Sequence, residues 1–335
     1  MPACELLRAP AALGSQVGWL RTMMARVRAT GCAMLRVTTG AGEQVALGRY
    51  HVEPPAAAPG VLHRRLTGGR VVPDGAGFAG IALVLPHRSA LESPDRHALR
   101  AEQVMNRAVR GVLEACARLG VEAYYPGRDL VTVAGRPVGW LSLTADDDGV
   151  TLFEAGLAVH ADLSLLPRLL DRIDPDGVVP ATLWLPEAVT SLSQEIGDGS
   201  LTDARVIDAL VAGFAARLGL DVVAAGDLEP LGDGVPAWVV DPRLDRRHEM
   251  ASMLGTLRVH LALDGDARIA ALRLTGDVIA PPATMAAIER AVVGARLDEA
   301  DVTARLGAVL ARDEHWMLGT GPTATLARAI ARDTA

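Results

Sequence analysis

Apolar residues recur at two different spacings along this chain, and the alternation limits the folds that it can adopt. From 15 to 29 they recur every three or four residues, as they do on one face of a helix. Short apolar segments, separated by glycine and proline, then follow at 32–38, 43–48, 61–65 and 79–86. Such segments are typical of strands joined by tight connections, so we expect a helix that covers a sheet.

Two further helices and a set of consecutive strands extend the pattern. Apolar residues return to helical spacing at 99–119 and at 203–218. Between these helices, segments 128–134, 136–144 and 149–158 have the pattern of strands joined by turns. The sequence therefore predicts an α/β fold, α+β in some schemes, in which a mixed β-sheet is flanked by helices.

The chain divides near a stretch rich in glycine, proline and aspartate, from 225 to 245, which has the composition of a linker. Beyond this stretch, residues 256–278 have the pattern of two strands around a tight turn, and helical segments follow them. We therefore expect a main domain at 1–240 and a small C-terminal α/β accessory domain at 250–335.

Composition and charge argue against several classes of protein. Hydrophobic residues make up 50% of the chain, yet no apolar run approaches the ~20 residues of a membrane-spanning helix. The first residues lack the pattern of a signal peptide, so we expect a cytoplasmic protein without a membrane partner. A formal net charge of -7 argues against a nucleic acid as partner. The three cysteines have no paired spacing, so we expect no disulfide.

All 33 basic residues are arginine, so the chain contains no lysine. Any mechanism that needs a lysine amine is therefore excluded. The eight histidines are scattered without the paired spacing of zinc ligands, and we expect no metal site. The signature motifs of the common hydrolases, kinases and dinucleotide-binding proteins are also missing from the sequence.

The segment HRRLTGGRVV at 63–72 is the most distinctive candidate for a binding loop. Paired glycines allow a ligand to approach the backbone, and the flanking guanidinium groups can donate charge-assisted hydrogen bonds to an anion. A turn between two strands would contain the same glycines, so this second interpretation stays open. The candidate substrate- or nucleotide-binding residues of this segment are Arg64, Arg65, Thr67, Gly68 and Gly69, and Arg70 lies beside them.

Two later segments add polar candidates. Residues 125–139 have the pattern of a strand, a turn and a second strand, and they contribute Asp129 and Arg136. Residues 152–163 lead from a strand into a helix. Within this segment Glu154 either faces a pocket or is solvated at the edge of the sheet, and we favour the solvated position.

Taken in order, the motifs RRLTGGRVV, GRDLVTVAGRPVG and LFEAGLAVHADLSLLPRLL resemble the lipoate-protein ligase and octanoyltransferase family, which is related to the biotin-protein ligases. Members of this family activate a carboxylic acid with ATP and magnesium and pass it to a carrier-domain lysine, or transfer an acyl group through a cysteine. For this chain, the resemblance implies a small carboxylic acid or acyl group as substrate, ATP and Mg²⁺ as cofactors, and a lipoyl-type or acyl carrier domain as partner.

The sequence departs from this family where the resemblance places an active-site lysine, because that position is Pro137. Loss of such a donor commonly lowers the rate by ~10²- to 10³-fold. Arg70 and Arg136 are the candidates to replace the catalytic charge, although a planar guanidinium is not equivalent to a lysine amine. Trp140 stands where the family usually has a small glycine, so we expect a narrower or reshaped tunnel and a shorter or different acid. No cysteine precedes Gly135 in this segment to form a thioester.

Two functions are compatible with these features. The first is a divergent enzyme that activates or transfers a carboxylic acid without the usual lysine. The second is a non-catalytic acyl-binding or carrier-interacting protein of the same fold. We favour the enzyme, and conversion of a bound acid would separate the two hypotheses.

Overall fold

The computed structural model of the protein describes residues 2–8, 16–55, 60–197, 199–232 and 234–332. Within these residues the helices are α1 (Gln16–Thr30), α2 (Ala101–Arg118), α3 (Leu166–Ile173), α4 (Leu192–Ile196), α5 (Asp203–Leu218), α6 (Pro282–Ala291), α7 (Glu299–Leu310) and α8 (Thr323–Ile330). The strands are β1 (Ala3–Leu7), β2 (Ala33–Thr39), β3 (Glu43–Leu47), β4 (Leu62–Arg64), β5 (Val72–Gly75), β6 (Phe78–Leu85), β7 (Ala123–Tyr124), β8 (Leu130–Val133), β9 (Arg136–Ala145), β10 (Thr151–Ala158), β11 (Asp221–Ala224), β12 (Arg246–Ser252), β13 (Gly255–Leu263) and β14 (Ile269–Gly276).

An eight-stranded mixed sheet forms the centre of the protein, with the strand order β11-β1-β2-β6-β10-β9-β8-β7. Strand β1 pairs in parallel with β2 and β11, whereas the remaining neighbours pair antiparallel. The mixed sheet predicted from the sequence is therefore confirmed.

Successive side chains of a strand point to opposite faces, so this sheet has buried apolar side chains on both faces. Helices cover each face. On one face α1 packs in a cluster with Met34 and Leu152. On the other face α2 and α5 pack in a larger cluster with Leu35 and Phe153. The cleft that contains the candidate site opens on the face covered by α1.

Two small sheets complete the fold. Strands β4-β3-β5 form one of them, and the loop between β4 and β5 contains the motif RRLTGGRVV. Strands β12-β13-β14 form the other, which packs with α6, α7 and α8 around a separate hydrophobic cluster. Tyr50, which follows β3, lies in this second cluster, and its hydroxyl donates to the carbonyl of Ala280 at 2.7 Å. The N-terminal and C-terminal parts of the chain therefore share a buried contact.

Most expected elements are present, with a few exceptions. The described residues of 225–245 form neither helix nor strand, as expected for a linker. Strands β1, β5, β7, β11 and β12 were not expected from the sequence. Among the residues that the structure describes, none of the helices is both long and apolar enough to span a membrane.

Candidate functional site

Thr67 and Glu154 connect the glycine-containing loop to the large sheet. Both the backbone N–H and the hydroxyl of Thr67 donate to Glu154 Oε2, at 3.2 Å and 2.6 Å. Glu154 lies on β10 and is only 7% exposed, so the solvated position that we favoured from the sequence is wrong. Burial raises the pKa of Glu154, although the nearby Arg65 opposes this shift. The carboxyl group of Glu154 therefore attaches the loop to β10.

The two glycines of the loop are in contact with protein backbone. A Cβ on Gly68 would lie 1.9 Å from the carbonyl oxygen of Val278, so any other residue would separate these segments. Gly69 has a φ of 84°, in the region that favours glycine, and its N–H donates to the same carbonyl at 2.7 Å. The glycines thus allow the loop to pack closely against the C-terminal part of the chain.

Arg64 and Arg65 point to different partners although they are adjacent in sequence. Arg64 donates to the carbonyls of Arg49 and His51, and it forms a 3.0 Å ion pair with Glu53. It therefore braces the segment after β3. Arg65 instead donates through Nη2 to the carbonyls of Gly68 and Arg70, at 2.9 Å and 2.6 Å. Its guanidinium carbon lies 4.1 Å from the centroid of the Trp140 ring, within the range of a cation–π contact.

Arg70 is paired with Asp129, so the structure brings these two candidate residues together. Arg70 Nε donates to Asp129 Oδ2 at 2.6 Å and Nη2 donates to Oδ1 at 3.3 Å. Further hydrogen bonds join Arg70 to the hydroxyl of Thr182 and the carbonyl of Met253. Burial raises the pKa of Asp129, and the charge of Arg70 opposes that shift. Because Asp129 accepts two hydrogen bonds from Arg70, less of this arginine is available to a reacting group.

Arg136 lies at the start of β9 and points to a different neighbour. Its Nη2 donates to Glu195 on α4 at 2.6 Å, and its side chain is 42% exposed. Within the described residues, Arg136 and Arg70 share no hydrogen-bond partner. Pro137 is buried, and its carbonyl accepts the backbone N–H of Thr190 at 3.1 Å. The two candidate catalytic arginines therefore occupy separate environments.

A cleft of about 420 Å³, counting the space open to solvent, lies between the α1 face of the large sheet and the small sheet of β4, β3 and β5. Side chains that line it include Arg36, His63, Arg65, Asp74, Trp140 and Glu154. Residues directly opposite on paired strands share a face of the sheet. The strand register therefore aligns the residues on the floor of the cleft in one row. This row runs through Arg36, Ala82, Glu154 and Ser142 on β2, β6, β10 and β9.

Arg36 is the residue of this cleft that the sequence reasoning missed. It is 3% exposed and donates through Nη1 to the side chain of Gln16, whereas its Nε and Nη2 have no hydrogen-bond partner. Burial lowers the pKa of Arg36 to about 10. Arg65 is equally buried, and its Nε and Nη1 also lack a partner. Four guanidinium nitrogens in and around this cleft are therefore unpaired within the described part of the chain.

The sequence also matches a known protein family. Residues 54–215 match the family model described as the lipoyl protein ligase A/B catalytic domain. The match covers 162 of the 335 residues, so this segment resembles that family. The loop, the row of polar residues on the sheet and Asp129 all fall within or beside this lipoate ligase-like domain. Curated protein sequences contain no significant match to the chain.

Solved structures share the fold of the lipoate ligase-like domain. LipL1 of P. falciparum, solved in complex with lipoate, is 11% identical and matches 91% of this chain and 94% of its own, with a TM-score of 0.63. A bipartite lipoate protein ligase of T. acidophilum, described with its E2 lipoyl domain, is 18% identical over 68% of this chain and 88% of its own, with a TM-score of 0.52. An ATP-bound lipoate-protein ligase A is 17% identical over 68% and 90%, with a TM-score of 0.51.

Proposed function

We propose that the protein is a divergent lipoate-protein ligase-like enzyme that binds a carboxylic acid in the cleft and activates or transfers it without a lysine. The observation that carries this proposal is the pair of buried arginines that line the cleft, Arg36 and Arg65, each of which has two guanidinium nitrogens without a hydrogen-bond partner. A carboxylate accepts two parallel hydrogen bonds from a guanidinium fork, and such charge-assisted bonds are stronger than neutral ones. An acid bound there would supply the missing partners.

Several residues have distinct parts in this proposal. Thr67 and Glu154 hold the loop in place, and Arg65 contacts the acid. The negative charge that develops on an attacked carbonyl oxygen needs a cation or hydrogen-bond donor nearby. Arg70 is the buried candidate for this role and Arg136 the more exposed one. Asp129 already accepts two hydrogen bonds from Arg70. Arg70 would therefore act on the developing negative charge as part of the Arg70–Asp129 ion pair.

ATP and Mg²⁺ are part of the proposal because a fold neighbour is described with ATP bound. In nucleotide sites Mg²⁺ is held mainly by phosphates and by one or two carboxylates. Within the described residues, no group of three or more His, Cys, Asp and Glu residues could hold a metal ion. The exposed Arg128 and the half-exposed Arg136 flank β8, and we propose them as cations that contact phosphate oxygens. Magnesium would accordingly arrive with the nucleotide.

The acceptor that we propose is a lipoyl-type or acyl carrier domain. Its support is the fold neighbour from T. acidophilum, which is described together with its E2 lipoyl domain. We further propose that residues 1–240 form the acyl-binding domain and residues 250–335 an accessory domain. The linker-like composition of 225–245 and the separate hydrophobic cluster of the C-terminal helices support this division.

Mass spectrometry of the purified protein with ATP, Mg²⁺ and a panel of carboxylic acids tests the enzyme. We expect an acyl-adenylate with pyrophosphate release, or an acylated carrier domain when one is supplied. Arg65→Met should lower product formation by at least ~10-fold, because a charged hydrogen bond to the acid is lost. The matched control is Arg107→Met, which removes an arginine of α2 that pairs with Glu92 at the surface.

A non-catalytic acyl-binding protein of the same fold is the alternative. The ion pair between Arg70 and Asp129 favours it, because the buried cation is already engaged. The buried Pro137 favours it as well, since proline supplies no charge where the resemblance implies a lysine. Acid binding by calorimetry, without adenylate, pyrophosphate or acyl transfer in the same mixtures, would establish this alternative and exclude the enzyme.

A further inference from the structure

The inner part of the cleft is an unusual place for an apolar acyl chain. Arg36 enters it from β2 and Arg65 from the loop after β4, and each residue is only 3% exposed. An apolar chain placed here would cover unpaired guanidinium N–H groups without giving them hydrogen bonds. Burial of a charged group without a partner carries a large desolvation cost. The polar lining therefore disfavours a lipoyl or octanoyl tail.

Neither arginine forms a direct ion pair with a described carboxylate, although the charges of Glu154 and Asp74 act on both guanidinium groups from a longer distance. Within the described residues, neither guanidinium has a carboxylate oxygen within 4.0 Å. Glu154 lies in the same row of the sheet as Arg36, but it accepts two hydrogen bonds from Thr67. Asp74 instead lies 3.4 Å from the ring of His63. Both carboxylates that line the cleft thus have other partners.

Small residues form the floor of the cleft between Arg36 and Glu154. Ala82 lies between Arg36 and Glu154 across the paired strands, and Gly80 occupies the next row beside Thr38. Neither residue has a large side chain. Trp140 lines the same cleft, so a ligand there must be short.

We propose that the substrate is a short organic acid with a second anionic group, and that Arg36 and Arg65 hold this second group. The proposal rests on the proposed function, since the other carboxyl group is the one that would be activated or transferred. Two guanidinium forks can engage the oxygens of one carboxylate through charge-assisted hydrogen bonds. A short dicarboxylic acid, with one carboxylate at each end, is the simplest member of this class.

Isothermal titration calorimetry without nucleotide tests the proposal through pairs of acids of equal length. Glutarate is compared with pentanoate and adipate with hexanoate at constant ionic strength, and octanoate and inorganic phosphate are titrated separately. We expect each diacid to bind at least ~10-fold more tightly than its partner monoacid, because one additional charged hydrogen-bonded pair forms. Equal affinities within both pairs, or phosphate bound as tightly as glutarate, would overturn the proposal.

Two substitutions test whether Arg36 is responsible for the preference for the diacid. Arg36→Leu should abolish the preference for the diacid, since the second anion loses a partner. Its melting temperature should not fall, because the substitution removes a buried charge without an ionic partner. Arg107→Met, at the surface of α2, should keep the full preference. A diacid preference that survives in Arg36→Leu would show that the anion binds elsewhere.

Failure of this inference and failure of the proposed function give different results. Diacids that bind with the expected preference but are never activated or transferred would refute the enzyme and leave the anion site intact. Monoacids and diacids that are converted equally well would establish the enzyme and refute the anion site.

Discussion

The indole of Trp140 on β9 lies directly against Gly156 on β10, since a Cβ at position 156 would be 2.3 Å from the indole Nε1. The two residues are opposite each other in the antiparallel register. A ring as large as indole therefore fits on this face only because its cross-strand neighbour has no side chain. Trp140 in turn contacts the guanidinium of Arg65, so one cross-strand pair sets the position of a residue that lines the cleft.

Gly156→Ala should displace the indole and destabilise the protein. Overpacking of a buried site typically costs about 1–3 kcal/mol, and chemical denaturation with urea would measure this change. The contact with Arg65 should be lost as well, so acid affinity should fall in calorimetry. In the Trp140→Gly variant, Gly156→Ala should lower the free energy of unfolding only slightly, because the indole that the new methyl group would contact is absent. Additive free-energy changes in this double-mutant cycle would contradict the assigned contact.

Asp129→Asn should destabilise the protein strongly, because it leaves Arg70 buried without its counter-charge. The pair is almost fully buried, with side-chain exposures of 8% for Arg70 and 2% for Asp129. Removing one partner of a buried pair typically costs about 3–5 kcal/mol. Urea unfolding at neutral pH measures the change.

The control for this prediction is Glu92→Gln, which breaks the exposed ion pair with Arg107. That pair should contribute no more than about 1 kcal/mol, because water screens it. The double variant Arg70→Met/Asp129→Leu should recover most of the lost stability, since no buried charge remains unpaired. Equal losses in Asp129→Asn and Glu92→Gln would show that Arg70 is solvated in solution.

The helices were predictable from the sequence because each buries one face against a sheet. The observed bounds of α1, α2 and α5 differ from the expected ones by only a few residues. Among the strands that were missed, β12 and β1 have clear physical reasons. Strand β12 has the sequence RRHEMAS, and its side chains are largely solvent-exposed, so no apolar alternation marks it. Strand β1 pairs in parallel with the distant β11, and the sequence carries no local turn to signal such a pair.

The candidate site was only partly predictable, since it depends on register. The sequence analysis identified the loop and Asp129, but it missed Arg36 and misplaced Glu154. Both missed positions have a common signal, because each is a charged residue within a largely apolar strand in which nearly every residue is buried. A charge in such a strand requires a partner or a ligand. That the two face the same cleft follows only from the pairing of β2, β6 and β10.

Glu154→Gln should change the pH dependence of stability in a defined direction. Burial raises the pKa of Glu154 above its ordinary value of 4.5, so the folded protein retains a proton that the unfolded chain releases. The free energy of unfolding of the parent protein therefore falls as the pH rises from this ordinary value through the raised pKa. Glutamine does not titrate, and its side-chain carbonyl can still accept hydrogen bonds from Thr67.

The stability advantage of Glu154→Gln over the parent should thus grow as the pH rises, and urea unfolding between about pH 4 and pH 8 measures it. Asp129 also has a raised pKa, but its contribution is common to both proteins and cancels in the difference. A difference that stays constant across this range, or that shrinks with rising pH, would show that the carboxyl of Glu154 is solvated.

Tyr50→Phe should weaken the contact between the N-terminal and C-terminal parts of the chain. The hydroxyl of Tyr50 donates to the carbonyl of Ala280, and the ring packs edge-on against Trp238 at a centroid distance of 4.9 Å. Loss of the hydroxyl leaves a buried carbonyl without this donor, which costs about 1–3 kcal/mol. Because the ring lies in the C-terminal cluster while its backbone follows β3, both parts should lose stability together. Circular dichroism and tryptophan fluorescence should then report one shifted transition, whereas two separate transitions in the parent protein would show that the two parts unfold independently.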